Sequence, residues 1–194
     1  DTVGQIVVTH THTDHCGMTG WLQGRTGARV LCHPMAAPAL AQMSETLDAR
    51  LALLLRAASA SGVAADVAEA ASRHWQSRSG AAVTSVPEAA LWPAREGARV
   101  RLGGAEWAVL HCPGHARDHL CLVHRPSGAL FSGDLLLRHR RATPWLEARR
   151  ADGSRPATLA DLVRSLQRLS RQRVAIAWPG HGRAIRAHRM LIAR

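Results

Sequence analysis

The chain has 194 residues, enough for one domain with a substantial buried core. It carries 25 basic against 14 acidic side chains, a net charge of +11, and apart from histidine every basic side chain is an arginine. No apolar run approaches the length of a membrane helix, and four cysteines without CxxC spacing read as reduced thiols of a cytoplasmic protein, not as a disulfide framework.

In chain order, Ile6-Val7-Val8 is an apolar β-type run, and Thr9-His10-Thr11-His12-Thr13-Asp14-His15 follows it directly. Three imidazoles and a carboxylate packed this closely are costly to fold unless they bind something. Alternation along an extended backbone puts His10 and His12 on one side, while Asp14 and His15 fall beyond the bend. The four groups divide into two pairs, which suits two metal ions better than one. Cys16 adjoins them and is read as packing. Gly27 to Pro34 is a strand ended by proline, with His33 a strand-end residue. From about Met35 to Arg78 the pattern turns helical: Leu47, Leu51, Leu54 and Leu55 recur at helical spacing, and a second helix opens near Gly62. His74 and Trp75 are candidates to line a substrate lid. Pro87 to Pro93 reads as a connector anchored by Trp92.

Arg99 to Leu102, a Gly103-Gly104 turn and Glu106 to His111 form a hairpin leading to Cys112-Pro113-Gly114-His115. His111 is read as structural. Ala129 to Ser132 is a strand running into Gly133-Asp134. Beyond it, Arg138, His139, Arg140 and Arg141 are basic or titratable groups that read equally as contacts for an anionic end of a substrate or as a solvated loop. Leu159, Leu162, Val163, Leu166 and Leu169 mark the buried face of an amphipathic helix. Arg173 to Trp178 is the last strand and delivers His181 in a glycine-flanked turn, and Ile185 to Ala193 forms a terminal helix. Each candidate ligand lies just past a short apolar run, the edge at which sites assemble in sheets flanked by helices.

The order HxHxDH, PGH, SGD, PGHG resembles the metallo-β-lactamase superfamily, from about Ile6 to the end of the chain, and within it the glyoxalase II-like hydrolase branch. The resemblance implies an α+β fold, the four-layer αββα sandwich. Such domains open with several strands before HxHxDH, so the resemblance implies that N-terminal strands are missing here. The expectation is one domain over 1–194 with a helical insertion at about 35–80.

Carried over, His10, His12 and His115 bind a first metal, Asp14, His15 and His181 a second, and Asp134 bridges them, with Asp14 also orienting the nucleophile. His119 is expected behind the site, hydrogen-bonding to it. The cofactor implied is a pair of Zn2+ ions, with iron or manganese also tolerated by a carboxylate bridge. The activity implied is hydrolysis by a metal-bound hydroxide, of a small anionic thioester or ester. The alternatives are a single-strand endoribonuclease, favoured by the arginine excess and by His188-Arg189 near the C-terminus, and a lactonase. A one-iron sulfur dioxygenase and a non-catalytic binding protein on the same fold complete the set. RNA is therefore a second partner class, no membrane partner is expected, and the oligomeric state is left open.

Overall fold

Two β-sheets packed face to face carry the chain, with helices on both outer faces. The computed structural model describes residues 3–79, 83–139, 142–145 and 152–193, without the side chains of 44 and 75–79. The first sheet contains β1 (Gln5–Val7), β2 (Arg29–Cys32) and β3 (Leu91–Pro93), all parallel, with β2 in the middle. The second runs β4 (Arg99–Leu102), β5 (Ala105–His111), β6 (Leu120–His124), β7 (Ala129–Gly133) and β8 (Ile176–Pro179). It is antiparallel as far as β7, and β8 pairs parallel with β7.

The helices are α1 (Thr13–Cys16), α2 (Thr19–Thr26), α3 (Ala37–Ala41), α4 (Met43–Ala60) and α5 (Ala65–Ser79) around the first sheet's connections. Helices α6 (Thr158–Ser170) and α7 (His188–Ala193) belong to the second. Among the described residues, no helix is long and apolar enough to cross a membrane.

Strand alternation sorts the apolar side chains into three layers. Val30 and Cys32 of β2 face Leu40, Met43 and Cys16 on the helical side, while Leu31 between them turns toward the second sheet. There it meets Val100, Val109, Leu120 and Leu122. The opposite face of the second sheet places Leu110, Cys121, Val123, Leu130 and Ala177 against Leu162 and Leu169 of α6. The layers are helices, sheet, sheet, helices, the αββα sandwich that the motifs imply. Phe131 and Trp178, neighbours in register on β7 and β8, lie on the inter-sheet face beyond the cover of the first sheet and are both more than 40% exposed.

Some expectations need correction. Leu91–Pro93 is a strand, not a connector, because β2 offers it a parallel partner and Arg29 lies over the Trp92 ring at 4.5 Å. Helix α6 buries Leu162, Ser165 and Leu169, whereas Leu159 and Val163 are exposed. The helix is turned toward Ser165, whose hydroxyl donates to Pro113 O at 2.7 Å. Gly114 lets it close in, since a Cβ there would overlap Leu162 Cα. Ile185 belongs to a single bridge with Ala177, and the terminal helix begins only at His188.

Candidate metal centre

The two sheets meet where Leu120 N–H of β6 donates to Thr9 O, 2.7 Å away. That contact brings the C-terminal ends of β1, β5, β7 and β8 to one edge. His10 and His12 leave the end of β1, and Asp14 and His15 sit on the single turn α1. His115 comes from the β5–β6 connection, and Asp134 and His181 follow β7 and β8 directly. The seven side chains expected as ligands thus converge.

His10 Nε2 and His115 Nε2 each lie 3.0 Å from His12 Nδ1. One ring nitrogen has one proton or one lone pair and cannot satisfy two such neighbours. The far nitrogens are engaged elsewhere: His10 Nδ1 meets Thr9 Oγ1 at 3.1 Å, and His115 Nδ1 donates to Thr143 O at 2.9 Å. Holding the proton on the outer nitrogen leaves the inner lone pair free for a cation. Ligands about 2.0–2.1 Å from a tetrahedral zinc lie about 3.4 Å apart, close to the spacing here. Burial first, then the neighbouring histidines, hold the His10 pKa far below normal, and burial, His115 and Arg50 bring His12 down to about 3. Both are neutral at pH 7, the form that binds metal.

The second set is tied together by acids. His181 Nε2 lies 3.1 Å from both His15 Nε2 and Asp14 Oδ2. Asp134 touches both sets, with His15 Nε2 at 3.3 Å, His181 Nε2 at 3.5 Å and His115 Nε2 at 3.7 Å. Among the described residues its buried Oδ1 has no hydrogen bond of good geometry, His15 Nε2 lying in ion-pair range at 3.3 Å. Burial acts to depress the His15 pKa, yet Asp134 and then Asp14 outweigh it and the net shift is upward. Burial likewise acts to raise Asp134, and His15, His181 and His115 outweigh it. The carboxylates therefore favour positive charge at this place, carried by a proton or by a metal cation. Three sets, His10–His12–His115, His10–His15–Asp134 and Asp14–His15–His181, each bring their ligand atoms within 4.8 Å of one another. Gly180 makes the closure feasible, because a Cβ there would overlap Asp134 Oδ1 and His15 Cε1.

His119 is fully buried behind the site, where its Nε2 accepts the Asp134 N–H at 3.1 Å. Cys16 packs in the core among apolar side chains, and burial pushes its thiol up to about 12. His33 and His111 stack on each other at 4.0 Å, away from the candidate ligands. His74 is exposed on α5, while the side chain of Trp75 lies outside the described residues, as do Arg140 and Arg141. Arg138 and His139 are exposed.

Sequence reasoning missed several neighbours. Trp145 stands 4.3 Å from the His12 ring, Thr143 supplies the carbonyl that orients His115, and Asp118 and Arg50 hold Thr11. Only Asp118, beside His119 in the His115 segment, had a local signal.

The chain matches the Metallo-beta-lactamase superfamily over residues 1–181. The probable metallo-hydrolase YqjP of Bacillus subtilis is 32% identical over 193 residues, covering 99% of this chain and 58% of that protein. A shorter match reaches the atrochrysone carboxyl ACP thioesterase of Aspergillus fumigatus, 31% identical over 94 residues, 48% of this chain and 20% of the other. Among solved structures, TTHA1623 in a di-iron-bound form is 28% identical, with a TM-score of 0.60 over 98% of this chain and 75% of that one. The chain thus spans 58% of the length of its Bacillus relative and a fifth of the fungal one.

Proposed function

This chain belongs to the metallo-β-lactamase superfamily, and we propose that it is a metal-dependent hydrolase with two metal positions that cleaves thioester or ester bonds. His10, His12 and His115 hold one ion on this reading, Asp14, His15 and His181 the other, and Asp134 spans both. The observation that carries it is the Asp134 carboxylate, buried, lacking a hydrogen bond at Oδ1 among the described residues, and within 3.7 Å of one histidine from the first set and two from the second.

Bound in such a donor set, metal ions lower the pKa of water toward neutrality and polarise a carbonyl. The protein's own part is positioning. Thr9 and Thr143 hold two rings in the ligating orientation. Asp14, at the open side of the site, accepts a hydrogen bond from the attacking water and turns its lone pair toward the carbonyl carbon. Trp145, its ring tilted against His12 at 4.3 Å, shields the opposite wall from solvent. Arg138 offers its guanidinium to an anionic substrate end, helped by the net charge of +11. On this reading the helical stretch of α3 to α5 is an insertion within a single domain, and Arg50 of α4 reaches Thr11 beside the first set.

Thioesters are favoured by the named activity of the fungal relative. Zinc suits the imidazole-rich first set, and the di-iron form of TTHA1623 makes iron the competing metal. Four buried free thiols fit a reducing compartment, and our reading puts the protein in the cytoplasm.

Elemental analysis of purified protein, with turnover of a generic thioester followed in the same sample, tests the proposal. Two zinc ions per chain with chelator-sensitive turnover are expected. Full turnover in metal-free protein would sink the reading, and uptake of oxygen on a persulfide in an iron-loaded sample would replace it with a dioxygenase.

A further inference from the structure

Between His10 and His12 lies Thr11, a residue with no ligand atom for the site, yet it is 3% exposed and held from two directions. Its N–H, part of the 10–11 peptide, donates to Asp118 Oδ2 at 2.9 Å. Its carbonyl, part of the 11–12 peptide, accepts from Arg50 Nη1, and its hydroxyl accepts from Arg50 Nη2 at 2.7 Å. The two peptide planes that set the directions of the His10 and His12 side chains are therefore each clamped by a charged group. Asp118 belongs to the His115 segment. Arg50 comes from the middle of α4, in the helical stretch between β2 and β3 that supplies no candidate ligand.

We propose that Arg50 is a positioning residue for the first metal, its forked guanidinium fixing the Thr11 backbone so that His10 Nε2 and His12 Nδ1 meet one ion. The proposal rests on the metal-centre reading above. An arginine suits the task because two parallel donors engage a carbonyl and a hydroxyl at once, which a lysine ammonium does not do in a fixed plane. The helical stretch thereby acts on the centre through the backbone. Its packing and the first ion's affinity become linked.

The test uses Arg50→Met, Arg50→Lys and Thr11→Val in the full chain, with zinc affinity measured by competition against a chromophoric chelator. The visible spectrum of the cobalt-substituted protein reports ligand geometry, and thermal unfolding of the metal-free proteins reports folding. Arg50→Met is expected to weaken the tighter of two zinc-binding events by about 10- to 100-fold, the usual cost of losing a group that orients a ligand. The weaker event should stay within about twofold and the cobalt spectrum should change. Arg50→Lys should recover part of the loss, and Thr11→Val, which keeps the carbonyl contact, should fall between Met and wild type. If Arg50→Met does not fold, the graded order of the other two decides. Unchanged tight binding and an unchanged cobalt spectrum in the folded variants overturn the proposal. Equal weakening of both events, in step with lowered thermal stability, also overturns it, by reducing Arg50 to a folding role. A wild-type protein that binds no metal instead overturns the underlying centre and the proposal with it, an outcome that the wild-type titration alone reveals.

Discussion

His10 and His115 are buried and their outer nitrogens are anchored by Thr9 and Thr143, while on the other side of Asp134 the side chain of Asp14 is 61% exposed and that of His181 36%. One half of the candidate centre is dry and preorganised; the other opens to water. Rigid, desolvated ligands lose little freedom on binding a cation, whereas exposed ones must first be ordered and must release their hydration. The difference assigns the halves different work. On the proposed reading, the buried half would retain an ion, and the open half would be where water and substrate arrive and where an ion exchanges.

The largest effect should come from removing the residue that joins the halves. Asp134→Ala should lower turnover by about 10²–10³-fold, the scale of losing one preorganised electrostatic group, and should cost at least one of the two ions. Thioester turnover and metal content of the purified variant check both. Full activity and full metal content in that variant would leave Asp134 without a bridging role.

A milder experiment separates the halves without mutation. Stepwise chelation should remove the ions in two phases, with the Asp14–His15–His181 position emptied at a chelator concentration about tenfold or more lower than the other. Asp14→Asn should shift only the first phase. Loss of both ions in one phase would erase the proposed asymmetry.

The smallest effect lies outside both halves, at the His33–His111 stack. Burial first, then His111 and Arg95, bring the His33 pKa down to about 4 from 6.5. The folded state refuses a proton that the unfolded state accepts, so this contribution is intact above pH 6.5 and is lost as the pH falls toward 4. By linkage the loss is at most about 3 kcal/mol, less after solvent screening. Urea unfolding of metal-free protein from pH 7 to 4 should show a shallower decline for His33→Gln than for the wild type. Parallel declines would remove His33 as a cause of acid sensitivity.

How far the sequence could be read depended on whether the information was local. The four strand-end segments carrying His10, His115, Asp134 and His181 announce themselves because each polar group directly follows an apolar run. The Gly103-Gly104 hairpin is as plain, with Leu102 paired to Ala105 across it. By contrast, Leu120–His124 is not read as a strand from sequence, and Leu91–Pro93 reads as part of a connector. Each is a strand because a neighbour offers its backbone hydrogen bonds, and pairing of that kind leaves little trace in a three- to five-residue stretch. Hydrophobic spacing puts Leu159 and Val163 on the buried face of α6, since spacing alone does not register that Pro113 O accepts the Ser165 hydroxyl.

The motif series by itself determined which side chains could serve as ligands and, through the resemblance it carries, the layered fold, because ligand chemistry and strand ends are written in short runs of residues. The tertiary structure alone decided that Asp134 lies between two sets, that His119 holds its backbone from behind, and that Arg50 and Asp118, 39 and 107 positions from Thr11, close on the same peptide. Those are contacts between segments that become neighbours only when the two sheets pack, so no window of sequence contains them.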